Sequence, residues 1–205
     1  MKLILVDMNA GVCAAWQEYF KTLPEVEIIN DYFENLPQYD CMVSAANSFG
    51  LMDGGVDAAI TRFFGEGVMR RVQERIITEY LGEQPVGTCM LVETGNPNHP
   101  WVAHAPTMRI PMEIAHTDNV YLAMWAVLRA VHHHNLTAAS PIHVLACPGL
   151  GTFTGKVPYR EAARQMSLAY KNYLNPPTYI TWQYASERQA RVRFGGDDGF
   201  RFPTA

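Results

Sequence analysis

The sequence predicts an α/β layered fold with a largely parallel sheet, on three observations. Short apolar runs alternate with stretches of helical spacing along most of the chain. The first run, Leu3-Ile4-Leu5-Val6, is continuously apolar, as in a buried strand. Gly-rich turns stand where strands give way to helices, as βα units require. At 205 residues the chain is long enough for one sizeable core and short for two.

The elements follow in order. A helix is expected from about Ala10 to Leu23, and Val26-Glu27-Ile28-Ile29 alternates weakly as a second strand. Cys41-Met42-Val43-Ser44 is a third strand that runs into the turn Ser48 to Gly55. Val56, Ile60, Phe63 and Phe64 have helical spacing; Gly65 and Gly67 interrupt it before Met69, Val72, Ile76 and Tyr80 resume it. Thr88 to Glu93 and Trp101 to Ala105 read as short strands around the turn Gly95-Asn96-Pro97-Asn98. Thr117 or Asp118 can cap a helix whose buried stripe is Val120, Met124, Val127, Leu128 and Val131. Ile142 to Cys147 is an apolar strand, followed by the long loop Pro148 to Pro158. Tyr159, Ala163, Met166, Tyr170 and Tyr173 mark a further helix, stopped by Pro176-Pro177. Tyr179 to Tyr184 reads as a last strand. The stretch Ala185 to Ala205 shows no apolar period and is expected to be a tail or edge appendage to a single domain over 1–184.

Composition excludes several classes of function. The chain is 48% hydrophobic and 18% charged, which argues against disorder. Its net charge of -4 offers no basic field for duplex nucleic acid, whereas a small anion can still be held by backbone amides. Cys13, Cys41, Cys89 and Cys147 are scattered, without the spacing of a disulfide framework or a zinc site. Asp7 ends the first apolar run too early for a signal peptide, and Arg129 breaks the run Tyr121 to Val131, which is too short to span a bilayer. The expectation is a soluble cytoplasmic protein.

Two loops stand out. In the first, a strand ends in Ser44-Ala45-Ala46-Asn47, and Gly54-Gly55-Val56-Asp57 opens a helix. Small residues let a ligand approach the backbone, and a helix N-terminus offers N–H groups to an anion. An ordinary strand-to-helix turn, with Asp57 as a first-turn dipole residue, fits this spacing equally well. The second loop, Pro148-Gly149-Leu150-Gly151-Thr152-Phe153-Thr154-Gly155-Lys156-Val157-Pro158, also joins a strand to a helix. In open α/β sheets ligands bind outside the carboxyl ends of strands, so two such loops could flank one phosphate-containing ligand.

Other motifs carry less. Gly155-Lys156 imitates a nucleotide-binding P-loop, but the earlier Gly is replaced by Leu150 and the magnesium-holding Ser/Thr by Val157. His132-His133-His134 lies at a helix end, where cations complement the dipole and consecutive side chains splay apart. No Gly-x-Ser-x-Gly elbow is present, and no Cys has the local features of an activated nucleophile.

Taken together, the segments Tyr39 to Ser48, Gly54-Gly55-Val56-Asp57, His104-Ala105-Pro106-Thr107 and Gly149-Leu150-Gly151-Thr152-Phe153 resemble the macro domain family of ADP-ribose-binding modules. The resemblance spans about Asn30 to Tyr173. It implies a three-layer α/β/α fold around a central mixed, largely parallel sheet. By the same resemblance Asp31 would accept from the adenine amino group, with the backbone at Tyr32 helping to hold the ring. Gly54, Gly55, Val56, Gly149, Leu150, Gly151, Thr152 and Phe153 would clasp the diphosphate or flank the distal ribose, with Ala46 beside them. Asn47 and Asp57 match the pair that lines the distal ribose in the hydrolytic branch, Asn47 fixing hydroxyls and Asp57 orienting or deprotonating a water. The ligand implied is ADP-ribose, free or as an acyl, phosphoryl or protein adduct, with no cofactor, no metal and no membrane partner. The chain departs from the family's usual pattern at Ser44, where an Asn is common, at Met52-Asp53, and at Thr154-Gly155-Lys156. Three functions therefore stand side by side: an ADP-ribosyl hydrolase, a non-catalytic ADP-ribose reader, and a scaffold that keeps the fold without the ligand. Exposed aromatics in the tail, Phe194, Phe200 and Phe202, would suit a partner contact in the last case.

Overall fold

A computed structural model describes residues 1–196 of the chain. Six strands form one sheet: β1 (Lys2–Val6), β2 (Val26–Ile29), β3 (Cys41–Asn47), β4 (Met90–Glu93), β5 (Trp101–Met108) and β6 (Val144–Cys147). Their order is β2-β1-β6-β3-β5-β4, and every neighbouring pair is parallel except β4 with β5. The helices are α1 (Ala10–Phe20), α2 (Gly55–Phe64), α3 (Gly67–Tyr80), α4 (Asn119–Thr137), α5 (Tyr159–Leu174) and α6 (Trp182–Val192).

The period of two in the strands explains the layers. Leu3 and Leu5 of β1, with Cys41 and Val43 of β3, pack against α1, α4 and α5. Ile4 and Val6, with Met42, face the opposite side, against α2 and α3. A sheet buried on both faces needs continuous apolar strands, which is what Leu3 to Val6 supply. The result is a three-layer α/β/α sandwich with a mixed, mostly parallel sheet, as expected.

Local chemistry sets the boundaries. Asn9 caps α1, its Oδ1 accepting from Gly11 N at 2.9 Å and Val12 N at 3.4 Å. The helical pattern over 56–80 divides at Gly65, so α2 and α3 are separate elements. Antiparallel β4 is shorter than the apolar run suggested, and β5 runs on to Met108.

One expected element is absent. Tyr179 to Tyr184 is not a strand: the chain leaves α5, passes Pro176-Pro177, and enters α6 at Trp182. Thr181 makes the switch, its Oγ1 accepting from Tyr184 N at 3.1 Å as an N-cap. The alternation Tyr179-Ile180-Thr181-Trp182 imitated a strand, but Tyr179, Ile180 and Trp182 are all exposed and pair with no sheet edge. Ala185, Glu187, Gln189 and Ala190 are good helix formers that carry α6 on to Val192. Arg188 fastens α6 to the body: its guanidinium lies 4.6 Å from the Trp125 ring and donates to the Tyr121 hydroxyl at 2.7 Å, while a second bond of 2.7 Å, to the Tyr184 hydroxyl, stays within α6. Phe194 stands edge-on to His116, with ring centroids 4.9 Å apart. Phe200 and Phe202 lie outside the described residues. No helix among the described residues is long and apolar enough to cross a membrane.

Candidate functional site

Because β2, β1, β6, β3 and β5 are parallel, their carboxyl ends meet along one rim of the sheet. The loops follow the strand order there: Asn30 to Asn35 after β2, Asp7 to Asn9 after β1, Pro148 to Pro158 after β6, and Ser48 to Gly54 after β3. Topology thus brings Asp31 to one end of the rim and Asn47 toward the other, with the second Gly-rich loop between them.

At the β2 end, Asp31 Oδ1 accepts from its neighbour Tyr32 N and from Asn35 Nδ2, both at 2.7 Å. The Tyr32 side chain is half exposed. Asn30 Nδ2 donates to Asp7 O at 2.8 Å, which ties the ends of β2 and β1 together.

Asp7 reaches the second Gly-rich loop, a contact between segments 142 residues apart that has no local signal. Its Oδ2 accepts from Gly149 N at 3.1 Å, and its Oδ1 from Asn9 N at 2.8 Å. A side chain at Gly149 would meet that carboxylate at 2.8 Å. Deeper in the loop, Gly151 has φ +68, and a Cβ there would lie 2.9 Å from Val120. Val157 N donates to Gly151 O at 3.1 Å, and Ile114 N to Gly155 O at 2.9 Å, so the loop is folded against the β5–α4 connection. Leu150 is fully buried and anchors the loop in the core. Phe153 is 78% exposed, with the Lys156 ammonium 5.6 Å from its ring centroid.

The first loop is held differently. Asn47 is buried at the end of β3; its Oδ1 accepts from Phe49 N at 3.0 Å and Leu51 N at 3.3 Å, while Nδ2 donates to Leu51 O at 2.8 Å. Ala46, beside it, is buried as well. The turn leads to Gly54, the N-cap of α2, with an extended backbone and no capping side chain. Gly55 has φ +54, and a Cβ on either glycine would meet nothing within 4 Å. The first-turn amides of α2 at Gly55, Val56 and Asp57 have no intrahelical acceptor, and the space beside Gly54 and Gly55 is open.

Asp57 is the site's unusual group. It is 5% exposed in the first turn of α2, and its Oδ1 accepts from Ser44 Oγ at 2.6 Å. Burial raises its pKa to about 6, with Asp53 adding to the rise and the Ser44 hydrogen bond opposing it. The strand-to-strand register puts His104 of β5 opposite Ser44. His104 is fully buried, its Nδ1 is 2.6 Å from Gln84 Oε1, and burial lowers its pKa to about 3, so the ring is neutral. The sequence singled out Asp57 and Asn47; the Ser44 contact was hidden because a pairing across 13 residues has no local spacing signal. No group of three or more His, Cys, Asp or Glu among the described residues is placed to hold a metal ion.

Comparison with known proteins accords with this layout. The chain matches the family model described as Macro domain over residues 43–166, more than half its length and including both Gly-rich loops. A protein of Aquifex aeolicus (strain VF5), described as uncharacterized, is 36% identical over 127 residues, 62% of this chain and 70% of that one. Among solved structures, the macrodomain of Mycobacterium tuberculosis DarG is similar with a TM-score of 0.58 at 16% identity, over 69% of this chain and 88% of its own. A variant of the Oceanobacillus iheyensis macrodomain, solved with ADPR, gives a TM-score of 0.58 at 18% identity, over 78% of this chain and 87% of its own. At such identities these two likenesses speak for the fold.

Proposed function

The chain belongs to the macro domain family, and on that premise we propose that it binds ADP-ribose along the rim and hydrolyses an ADP-ribosyl adduct at the distal ribose. The observation that carries the binding half is the order of groups along the rim. Asp31 stands at the β2 end, the second Gly-rich loop follows β6, and the α2 N-terminus with Asp57 follows β3. A dinucleotide-sized ligand laid along that order would place its adenine at Asp31 and Tyr32, its diphosphate against the two loops, and its distal ribose by Asp57. The Oceanobacillus iheyensis macrodomain solved with ADPR shares this fold and supports the choice of ligand.

The loops meet a diphosphate with backbone N–H groups and the positive end of the α2 dipole. That suits a chain of net charge -4, because the anion is neutralised locally and little basic surface is required. In the reaction, Asp57 orients a water and takes part of its proton as the water attacks the distal ribose carbon. The bond to the acyl, phosphoryl or protein oxygen breaks, and the leaving oxygen departs with the electron pair. A carboxyl titrating at about 6 is a better base than an ordinary aspartate and is still ionised at neutral pH. The remaining rate enhancement comes from positioning and from charge held by the loops.

A second reading, the non-catalytic reader, is favoured by Asn47. Its oxygen and one of its two amide hydrogens are committed to Phe49 and Leu51, so a single N–H remains for a ribose hydroxyl. Calorimetric titration with ADP-ribose, in the presence of EDTA and with AMP as control, tests the binding step. Micromolar binding that discriminates against AMP is the expected result, and no binding would leave the scaffold reading. Hydrolysis assays on acyl and protein adducts then separate the first two readings. Asp57→Ala is expected to abolish turnover in a folded protein, and turnover at the parental rate would remove Asp57 from the mechanism.

A further inference from the structure

We propose that Ser44 is a positioning residue for Asp57, its hydroxyl gripping Oδ1 so that Oδ2 is the one carboxylate oxygen presented to the attacking water. This rests on the hydrolytic reading above and adds to it a residue that never touches the substrate.

The geometry sets the direction of the contact. An ionised carboxylate has no proton to give, so in the 2.6 Å pair Ser44 Oγ donates and Asp57 Oδ1 accepts. Ser44 is fully buried in the central strand β3, and neither end of the bond is free to drift: one is fixed by the sheet, the other by the first turn of α2. Torsion about the last side-chain bond of an Asp is broad and roughly two-fold, so without the hydroxyl the two oxygens would exchange roles. With it, one oxygen is committed to the protein and the other keeps a single orientation.

The neighbours leave this task to Ser44. A buried carboxylate needs a partner, and a cation would be the strongest. Opposite Ser44 stands His104, a neutral ring. Gln84 Nε2 donates to His104 O at 3.2 Å, which directs Gln84 Oε1 to accept from His104 Nδ1–H. The proton is therefore on Nδ1, and Nε2, buried and without a hydrogen-bond partner, is an acceptor with no positive charge to offer. On α3, Arg71 is committed to Glu93 O and Thr94 O, and Arg75 to Glu79 and Leu91 O. The other charge that acts on Asp57 is Asp53, which opposes ionisation. Among these groups Ser44 alone favours the ionised, oriented carboxylate, together with the helix dipole. Ser44 thus places at this point of β3 the smallest side chain able to donate to Asp57.

The test uses the full chain with Ser44→Ala and, as the conservative replacement, Ser44→Thr. Three quantities are read: ADP-ribose affinity by calorimetry, kcat and KM for an acyl-ADP-ribose across pH 4.5–8.5, and the Asp57 carboxyl titration by carbon-13 NMR. Ser44→Ala is expected to keep ADP-ribose affinity and KM within about threefold, which also shows that it is folded. It should lose about tenfold or more in kcat, the scale of a hydrogen bond to a charged group. With the one stabilising hydrogen bond gone, the carboxyl should titrate above its parental value, and the acid limb of kcat should move to higher pH with it. Ser44→Thr should restore most of both. A Ser44→Ala protein with parental kcat and an unmoved Asp57 titration would overturn the proposal. A parental protein without turnover would overturn the hydrolytic reading instead, and the NMR titration would still decide whether Ser44 holds the carboxylate.

Discussion

The two Gly-rich loops of the rim occupy equivalent places, each between a parallel strand and the helix that follows it, yet side-chain hydrogen bonds do more of the holding in one and glycine packing more in the other. The β3–α2 loop is held largely by polar side chains: Asn47 makes three hydrogen bonds to the backbone of its own turn, Thr61 donates to Met52 O and Gln73 to Gly50 O, and Gly50 alone is pressed against Val72 and Ile76. The β6–α5 loop is held by absence of side chains, with Gly149, Gly151 and Gly155 pressed against Asp7, Val120, Ile114 and each other. Where side-chain hydrogen bonds fix a turn, loss of one set leaves groups that water can partly satisfy. A loop fixed by close packing is rigid and fails abruptly. Both loops would border the diphosphate, a group common to every ADP-ribosyl adduct, and the second lies nearer the adenine end of the rim. The first loop borders Asp57, where the adducts of the proposed reaction would differ.

The sharpest way to break that contrast is at Gly151. An Ala there must adopt φ +68 and place its Cβ 2.9 Å from Val120 and 3.2 Å from Ile114 and Val157. Left-handed strain and overpacking together should lower stability by about 2–4 kcal/mol. Denaturant unfolding of Gly151→Ala measures this, and ADP-ribose affinity should fall with it. A loss below about 1 kcal/mol would mean that the second loop can shift to admit a side chain.

Asn47→Ala probes the other side. Three hydrogen bonds disappear, but Leu51 is half exposed and water replaces part of what is lost. The expected destabilisation is about 1–2 kcal/mol, smaller than at Gly151. Comparing this loss with the loss of ADP-ribose affinity sorts the roles of the side chain. If affinity falls by much more than stability, Asn47 touches the ligand as well as the turn; if the two fall alike, its work is confined to the turn.

How much of this could be read beforehand differs in the same way between regions. The three layers were legible because continuous apolar strands and helical stripes are local patterns, and the two loops were legible because glycine leaves a mark on the sequence wherever the backbone is crowded. What local patterns cannot carry is contact between distant segments. Asp7 with Gly149, separated by 142 residues, and Ser44 with Asp57 arise from strand order and register. The stretch Tyr179 to Tyr184 misled for a related reason: its alternation is strand-like, but Thr181 offers a cap and the segment pairs with neither edge strand, β2 or β4, so α6 forms instead. The resemblance to macro domains could indicate Asp57, whereas the hydroxyl that holds it became visible only with β3 and α2 side by side.

The smallest effect expected is at Lys156, and it separates the two loops most finely. Lys156 has φ 54, an uncommon conformation for a residue with a side chain, because both neighbours are fixed: Gly155 O accepts from Ile114 N, and the buried Val157 donates to Gly151 O. The enforced geometry carries the ammonium over Phe153, on the exposed side of the loop. Lys156→Gly removes the strain, so stability should stay level or rise by up to ~1 kcal/mol. The same change removes the cation, and ADP-ribose affinity at low salt should fall about two- to fivefold, the scale of an exposed ionic contact. The difference between parent and variant should shrink as salt rises toward 1 M, where screening acts over about 3 Å. A gain in stability with a salt-sensitive loss of binding would identify strain kept in the rigid loop for the sake of charge. An unchanged salt dependence would mean that this loop meets its anion with backbone amides alone.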